Sequence, residues 1–326
     1  MTVALALLAG LAVFTALIAW QGVATVAETF GLAGWNPLWL PLVYCIPLVL
    51  SAQSWRCFFA PRPSFGAAVH AMWIGLAVNW MLPVAQIGGE FVRARIVAAR
   101  GVPGRDAYAS VIVDKTSQAV TQLVYAVIGL ALLVTLHVGD STVIGIAAFL
   151  VLLGCGVVAF YRMQQVGLFG FVVRLGSRLV GRFDWSRAAQ GAGNVDEAVR
   201  HVYARRADFW EGIAWRLLAR IVAASEVWLA FQFLGHPIDV VDAIVIESLG
   251  QSVRGAAFIV PGALGVQEGG YMLLAAAIGI GPELGLALSL CKRVRELVVG
   301  IPGLLAWKLW EAQHLMKARA RTGQRT

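Results

Sequence analysis

Charge is scarce in this chain: Asp, Glu, Lys and Arg together make up 13% of its 326 residues, about half the share found in soluble domains. A protein wetted on all sides is not built from so few ionic groups, and a mean hydropathy of +0.75 makes lipid the main solvent. The four cysteines, Cys45, Cys57, Cys155 and Cys291, lie far apart without a CxxC pair, so neither a zinc site nor a disulfide framework is expected. The five histidines form no HExxH, and no GxSxG, P-loop or GxGxxG with a following acidic residue occurs. No soluble catalytic constellation, metal site or cofactor is therefore expected. The net charge of +8 is not read as nucleic-acid binding, because many of the 26 basic residues flank apolar stretches, where cytoplasmic Lys and Arg collect.

Long apolar runs are what the chain has in abundance. Several reach the roughly 17 to 25 residues that a helix needs to cross hydrocarbon, and they do not alternate as barrel strands would. The expected fold is an all-α, polytopic membrane bundle forming one domain over 1–326. Its candidate spans are 3–20, 37–55, 107–136, 139–161, 209–234 and 284–310. The first lacks a preceding Lys or Arg and is read as a retained span, not a signal peptide. Trp20, Trp35, Trp55, Trp210 and Trp310 fall near proposed ends, where indole rings favour the interface.

The one long polar stretch, 162–208, has eight arginines against four acids and is expected in the cytoplasm. Within it Arg174, Arg178 and Arg182 recur every fourth residue beside Phe171, Leu175, Leu179 and Phe183, the pattern of a helix lying on the inner leaflet. A plain solvated linker is the alternative. Lys317, Arg319, Arg321 and Arg325 place the C-terminus inside as well, and the N-terminus follows. Gly139 and His236 are expected outside.

Two apolar pieces are interrupted, 65–85 by Pro83 and 241–280 by Pro261 with Gly262. PVAQIGGE at 83–90 and PGALGVQE at 261–268 each set a Glu seven residues after a Pro, at an offset of 261 − 83 = 178. The same offset pairs Gly101 with Gly279 and sets Asp114 and Lys115 opposite Lys292 and Arg293. Arginines 93, 95, 100 and 105 follow the first motif, whereas 269–291 carries only Glu283. The two units, 65–136 and 241–310, thus read as an inverted repeat with two broken or re-entrant segments, a recurring transporter device. Two ordinary Pro/Gly turns between straight spans remain the simpler alternative.

Charge also occurs where a bilayer resists it. The 284–310 span contains Lys292, Arg293, Arg295 and Glu296, a group that opposes insertion of an isolated helix by about 10 kcal/mol. Asp114, Gln118, Thr121, Gln122 and Tyr125 share one helical face, and Glu247, Gln251 and Arg254 share another. These stripes are expected to converge inside the bundle, with Asp114 meeting Arg293 or Lys292 near the midplane. Glu90 and Glu268, beside the breaks, could bind a cationic group, take a proton or cap free N–H groups. Lys115, beside Asp114, is a further candidate for the substrate site, Asn79, Arg93 and Gln267 are weaker candidates, and His70 reads as a packed histidine. Static salt bridges that only fix helix packing are the alternative for every one of these residues.

At these positions the chain resembles a known family. NWMLP at 79–83 with GGEFVR at 88–93, then VPGALGVQE at 260–268 and KRVREL at 292–297, are similar to the lysylphosphatidylglycerol synthase transmembrane, or flippase-like, family. MWIGLAVNWMLPVAQIGGEFVRARIV with ASVIVDKTSQ looks closest to its hopanoid-biosynthesis-associated branch. The resemblance implies an inner-membrane protein whose partners are membrane lipids, with lipid-synthesising enzymes as possible companions. No stretch here can hold a soluble aminoacyl-transferase domain, which leaves lipid translocation as the expected activity. A membrane-embedded headgroup transferase and a non-catalytic scaffold for lipid, including hopanoid, synthesis are the alternatives.

Overall fold

The computed structural model describes residues 34–82, 88–135, 140–166, 185–257, 260 and 263–323. The expected span at 3–20, the basic helix with Arg174, Arg178 and Arg182, and the break residues Pro83, Pro261 and Gly262 lie outside the described residues. Within them there are ten helices and no strand. A 3-10 turn, Asn36–Trp39, leads into α1 (Leu40–Arg56), with Pro41 in the first turn, where a missing N–H costs nothing. The rest are α2 (Phe65–Met81), α3 (Gly88–Ala98), α4 (Gly104–Thr135), α5 (Asp140–Val166), α6 (Trp185–Ala204), α7 (Arg206–Phe233), α8 (Val240–Ala256), α9 (Val266–Ala277) and α10 (Pro282–Gly323). The expected spans at 37–55, 107–136, 139–161, 209–234 and 284–310 coincide with α1, α4, α5, α7 and α10.

Both interrupted pieces are helix–break–helix units whose halves pack together. α3 folds back on α2 so closely that a Cβ on Gly89 would lie 1.9 Å from the Gly75 carbonyl oxygen. α9 folds back on α8, where a Cβ on Gly250 would lie 2.4 Å from the Tyr271 ring. α3 and α9 begin 178 residues apart, at 88 and 266, as do α4 and α10, at 104 and 282. Before each of the latter stands a positive-φ glycine, Gly101 (φ 101°) and Gly279 (φ 79°), a conformation open to residues without a Cβ.

α1 and α7 lie antiparallel. Ser54 near the end of α1 donates to the Gly212 carbonyl near the start of α7 at 2.8 Å, while Leu40 at the start of α1 is buried with Val227, Ala230 and Phe231 near the end of α7. The 42-residue α10 crosses α2, where the Trp73 indole N–H donates to Val299 O at 2.9 Å and Gly303 makes room for Ala77. α4 meets α8 at Gly129, whose added Cβ would lie 1.8 Å from Ser248 Oγ.

The distribution of polarity is the reverse of a water-soluble protein. Asp114, Glu268 and Lys292 are fully buried, whereas Leu152, Ile144, Leu273, Leu305 and Leu309 stand exposed. Charge turned inward and aliphatic surface turned outward is the arrangement hydrocarbon demands. By length and composition Asn36–Arg56 and Gly104–Val134 are long and apolar enough to cross a membrane, and α2 is apolar but shorter. α7 and α10 carry ionic groups at mid-helix, and those groups face other helices.

One end of the bundle is basic. Arg62, in the turn after α1, bridges Asp208 at 2.8 Å and Glu211 at 2.5 Å. Arg205 donates to the carbonyls of Phe58 and Phe59, and Arg95 pairs with Glu311 of α10 at 3.0 Å.

A charged cavity between the broken helices

Glu90 and Glu268 each stand third in the helix that follows a break. At that place a carboxylate lies within reach of free N–H groups and the positive end of the helix. Glu268 uses it: its Oε2 accepts from Gly265 N at 2.7 Å, and its Oε1 accepts from Ser289 and from two nitrogens of Arg293 at 3.0 and 3.1 Å. Glu90 leaves capping to Asn79, whose Oδ1 accepts from Gly89 N at 2.8 Å, and instead binds Lys115 at 2.5 Å and Arg93.

Around Glu90 the chain is continuous. Arg93 reaches Asp114 at 2.6 Å and lies over the Trp55 ring; Asp114 also binds Arg216 and accepts from Gln118 at 2.8 Å. Around Glu268 a larger network forms. Arg293 joins Glu268 to Glu296, and Glu296 binds Arg254 at 2.5 Å. Lys292 sits between Glu247 at 2.7 Å and Glu226 at 3.5 Å, Gln251 donates to Glu247 at 2.9 Å, and Arg295 reaches Glu226 at 3.1 Å while stacking on Tyr44. Gln122 of α4 joins α8 by donating to Ser248 O and Ser252 Oγ at 2.9 and 2.8 Å.

Asn79, Glu90, Arg93, Lys115, Gln118, Glu247, Gln251, Arg254 and Arg295 line one cavity of about 250 Å³. Asp114, Glu268, Lys292, Arg293 and Glu296 stand behind it, bound to the lining groups or to each other. Asp114 does not meet Arg293 or Lys292: its partners are Arg93 and Arg216. Lys292 and Arg293 are taken by carboxylates of α7, α8, α9 and their own helix. The expectation of that pair failed because matching positions in two units need not touch; each stripe finds charge on the helices packed against it. His70 is half-buried and contacts Arg100 at 3.1 Å.

Sequence reasoning missed α7. Arg216 and Arg220 line the cavity, and Glu226 is almost wholly buried between Lys292 and Arg295. A signal was there, though less crowded than the charges of α10: Arg216 and Arg220 are one turn apart inside a span already drawn at 209–234.

Helices with breaks, an aliphatic exterior and a charged interior define a polytopic helical membrane protein. The chain belongs to the family described as the lysylphosphatidylglycerol synthase TM region, whose profile matches residues 7–303. It is 21% identical over 281 residues to a UPF0104 membrane protein of Pyrococcus horikoshii, covering 81% of this chain and 83% of that protein. No solved structure matches it.

Proposed function

We propose that this protein moves an amphiphilic lipid between the leaflets of the inner membrane, passing the headgroup through the cavity at Glu90, Arg93 and Arg254. The carrying observation is that cavity, walled by charge from both broken units inside an exterior of aliphatic side chains. A polar headgroup crosses hydrocarbon only if donors, acceptors and charges replace its water.

The architecture we propose to perform this is an inverted repeat, α1–α4 against α7–α10. Three things support it: the shared offset of the helix starts, the antiparallel packing of α1 and α7, and two ion pairs at the same separation. Glu90 binds Lys115 and Glu268 binds Arg293, each pair 25 residues apart in sequence and 178 from its counterpart. The same shift carries the Lys115–Gln118 contact onto Arg293–Glu296. Such pairs suit alternate opening on two sides. A hopanoid cargo rests on the resemblance of residues 72–97 and 109–118 alone.

Purified protein in liposomes is expected to accelerate leaflet exchange of a labelled lipid, with Glu90→Gln and Glu268→Gln slowing it while folding is kept. A second reading, a static scaffold for lipid-synthesising enzymes, is favoured by the partnering of every carboxylate in the network. Failure of wild-type protein to exchange phospholipid, aminoacylated-lipid and hopanoid substrates, with and without a proton gradient, decides for the scaffold.

A further inference from the structure

A second cavity lies away from the charged one and shares no lining residue with it. It is a groove of about 500 Å³ between α4, α5 and the α6–α7 junction. One wall is a run of rings: Tyr161 meets Tyr203 edge-on at 5.2 Å between centroids, Tyr203 meets Phe209 at 5.3 Å, and Phe209 meets Trp210 at 5.7 Å. That wall is anchored from behind. The Tyr203 hydroxyl donates to Gln164 Oε1 at 2.7 Å, and Gln164, itself buried, donates to Thr116 Oγ1 at 2.8 Å. Interlocked rings on a satisfied polar triad are pre-organised for an occupant.

Polarity changes along the length of the groove. Arg206, the first residue of α7, lines it at the basic end of the bundle; it is exposed, and its guanidinium has no ion-pair partner among the described residues. The nearest acid in sequence, Asp208, is taken by Arg62 and Arg205. Trp210, an exposed indole, follows about 6 Å further in along α7. Deeper still the lining is valine: Val157 lies nine residues before the end of α5, about 13 Å from it, beside Val158 and Val120. A phospholipid carries the same order, with phosphate at the interface and hydrocarbon below. A free guanidinium at the headgroup level grips phosphate oxygens in a fork, and the surface field there gathers anionic lipids. A helix of another protein does not fit: about 10 Å across, it needs on the order of 1,000 Å³ over the same depth, about twice the space present. We infer that this groove binds an anionic phospholipid from the leaflet at the basic end, with its phosphate on Arg206 and one acyl chain between the rings and Val157 and Val158. Because groove and charged cavity have no residue in common, the lipid here is a resident of the outer surface and not cargo, and the inference stands apart from the transport proposal.

The test uses the full chain in detergent and phospholipids brominated on an acyl chain, which quench only nearby indoles. Quenching present in the wild type and absent from Trp210→Phe reports the groove alone, and it does not depend on leaflet exchange. Brominated phosphatidylglycerol is expected to quench Trp210 saturably, with brominated phosphatidylcholine needing a few-fold more. Arg206→Gln breaks no ion pair within the protein, so its thermal midpoint should stand; it should need about tenfold more phosphatidylglycerol and lose the preference between the two lipids. Val158→Phe, at a position 58% exposed, fills the groove from its open side and should weaken both lipids alike. Quenching that is equal for the two lipids and never saturates is ordinary contact with bulk lipid and overturns the inference. Wild-type titration by Arg206→Gln removes the phosphate contact, and wild-type titration by Val158→Phe removes the chain from the groove; either result overturns it. No quenching of Trp210 by any lipid gives the groove to another occupant.

Discussion

Glu90 and Glu268 hold matching places but keep different company, and the difference sets what their loss costs. Removing the Glu268 side chain takes the acceptor from Gly265 N and one of two carboxylates from Arg293, which keeps Glu296, in a spot with no exposure, which should cost about 3–5 kcal/mol. Removing Glu90 costs less, because Arg93 keeps Asp114 and the Lys115 side chain, 34% exposed, has room to turn away. Glu268→Ala should therefore lower the thermal midpoint well beyond Glu90→Ala, and equal losses would count against this account. Double-mutant cycles should show coupling of about 0.5–3 kcal/mol between Asp114 and Arg216 and none between Asp114 and Arg293. At the basic end, Cys57 is fully buried; burial first and the Glu211 carboxylate second push its thiol up to about 12. At pH 8 only about one molecule in ten thousand carries the thiolate there. Maleimide should leave Cys57 unmodified in native protein and label it after unfolding in SDS.

At the scale of the helix, the two hairpins are built on glycine contacts that admit no Cβ. Gly89→Ala, set against the Gly75 carbonyl, should destabilise by about 1–3 kcal/mol through overpacking, whereas Gly156→Ala, with nothing within 4 Å, should change little. Thermal unfolding of the two variants checks this. How much of this was legible follows the kind of signal. Pro83 and Pro261 announce the breaks, since proline removes a helical N–H and crowds the preceding turn, although Pro47 and Pro302 stay inside α1 and α10; apolar runs announce α1, α4, α5, α7 and α10. The charges of α10 stood out because four crowd into five residues; Arg216, Arg220 and Glu226 are diluted along α7 and passed beneath an apolar average. Pairing was the illegible part. Helical periodicity tells which face Asp114 occupies, but only packing decides that α3 and α7, not α10, lie opposite it.

For the molecule as a whole, the bridges Arg62–Asp208 and Arg95–Glu311 fasten the α1–α2 turn, α3, the α6–α7 junction and α10 at one end. By the positive-inside tendency that end is expected in the cytoplasm. A single cysteine at Ala188 should then react with an impermeant maleimide only in inside-out vesicles, and one at His236 only in intact cells; the opposite pattern would reverse the orientation.

The interior network also bears on how the chain is made. Glu226, Glu247 and Glu268 all precede Lys292, Arg293 and Arg295 in the sequence, so during synthesis from the N-terminus each carboxylate emerges before the cation it will hold. A translocating channel that meets α10 by itself has little reason to release it sideways into lipid. With α7, α8 and α9 waiting nearby, the same segment finds its counter-charges and becomes acceptable. The last span is thus admitted by its predecessors, and a fragment beginning at Pro282 should slip past the membrane that the intact chain enters.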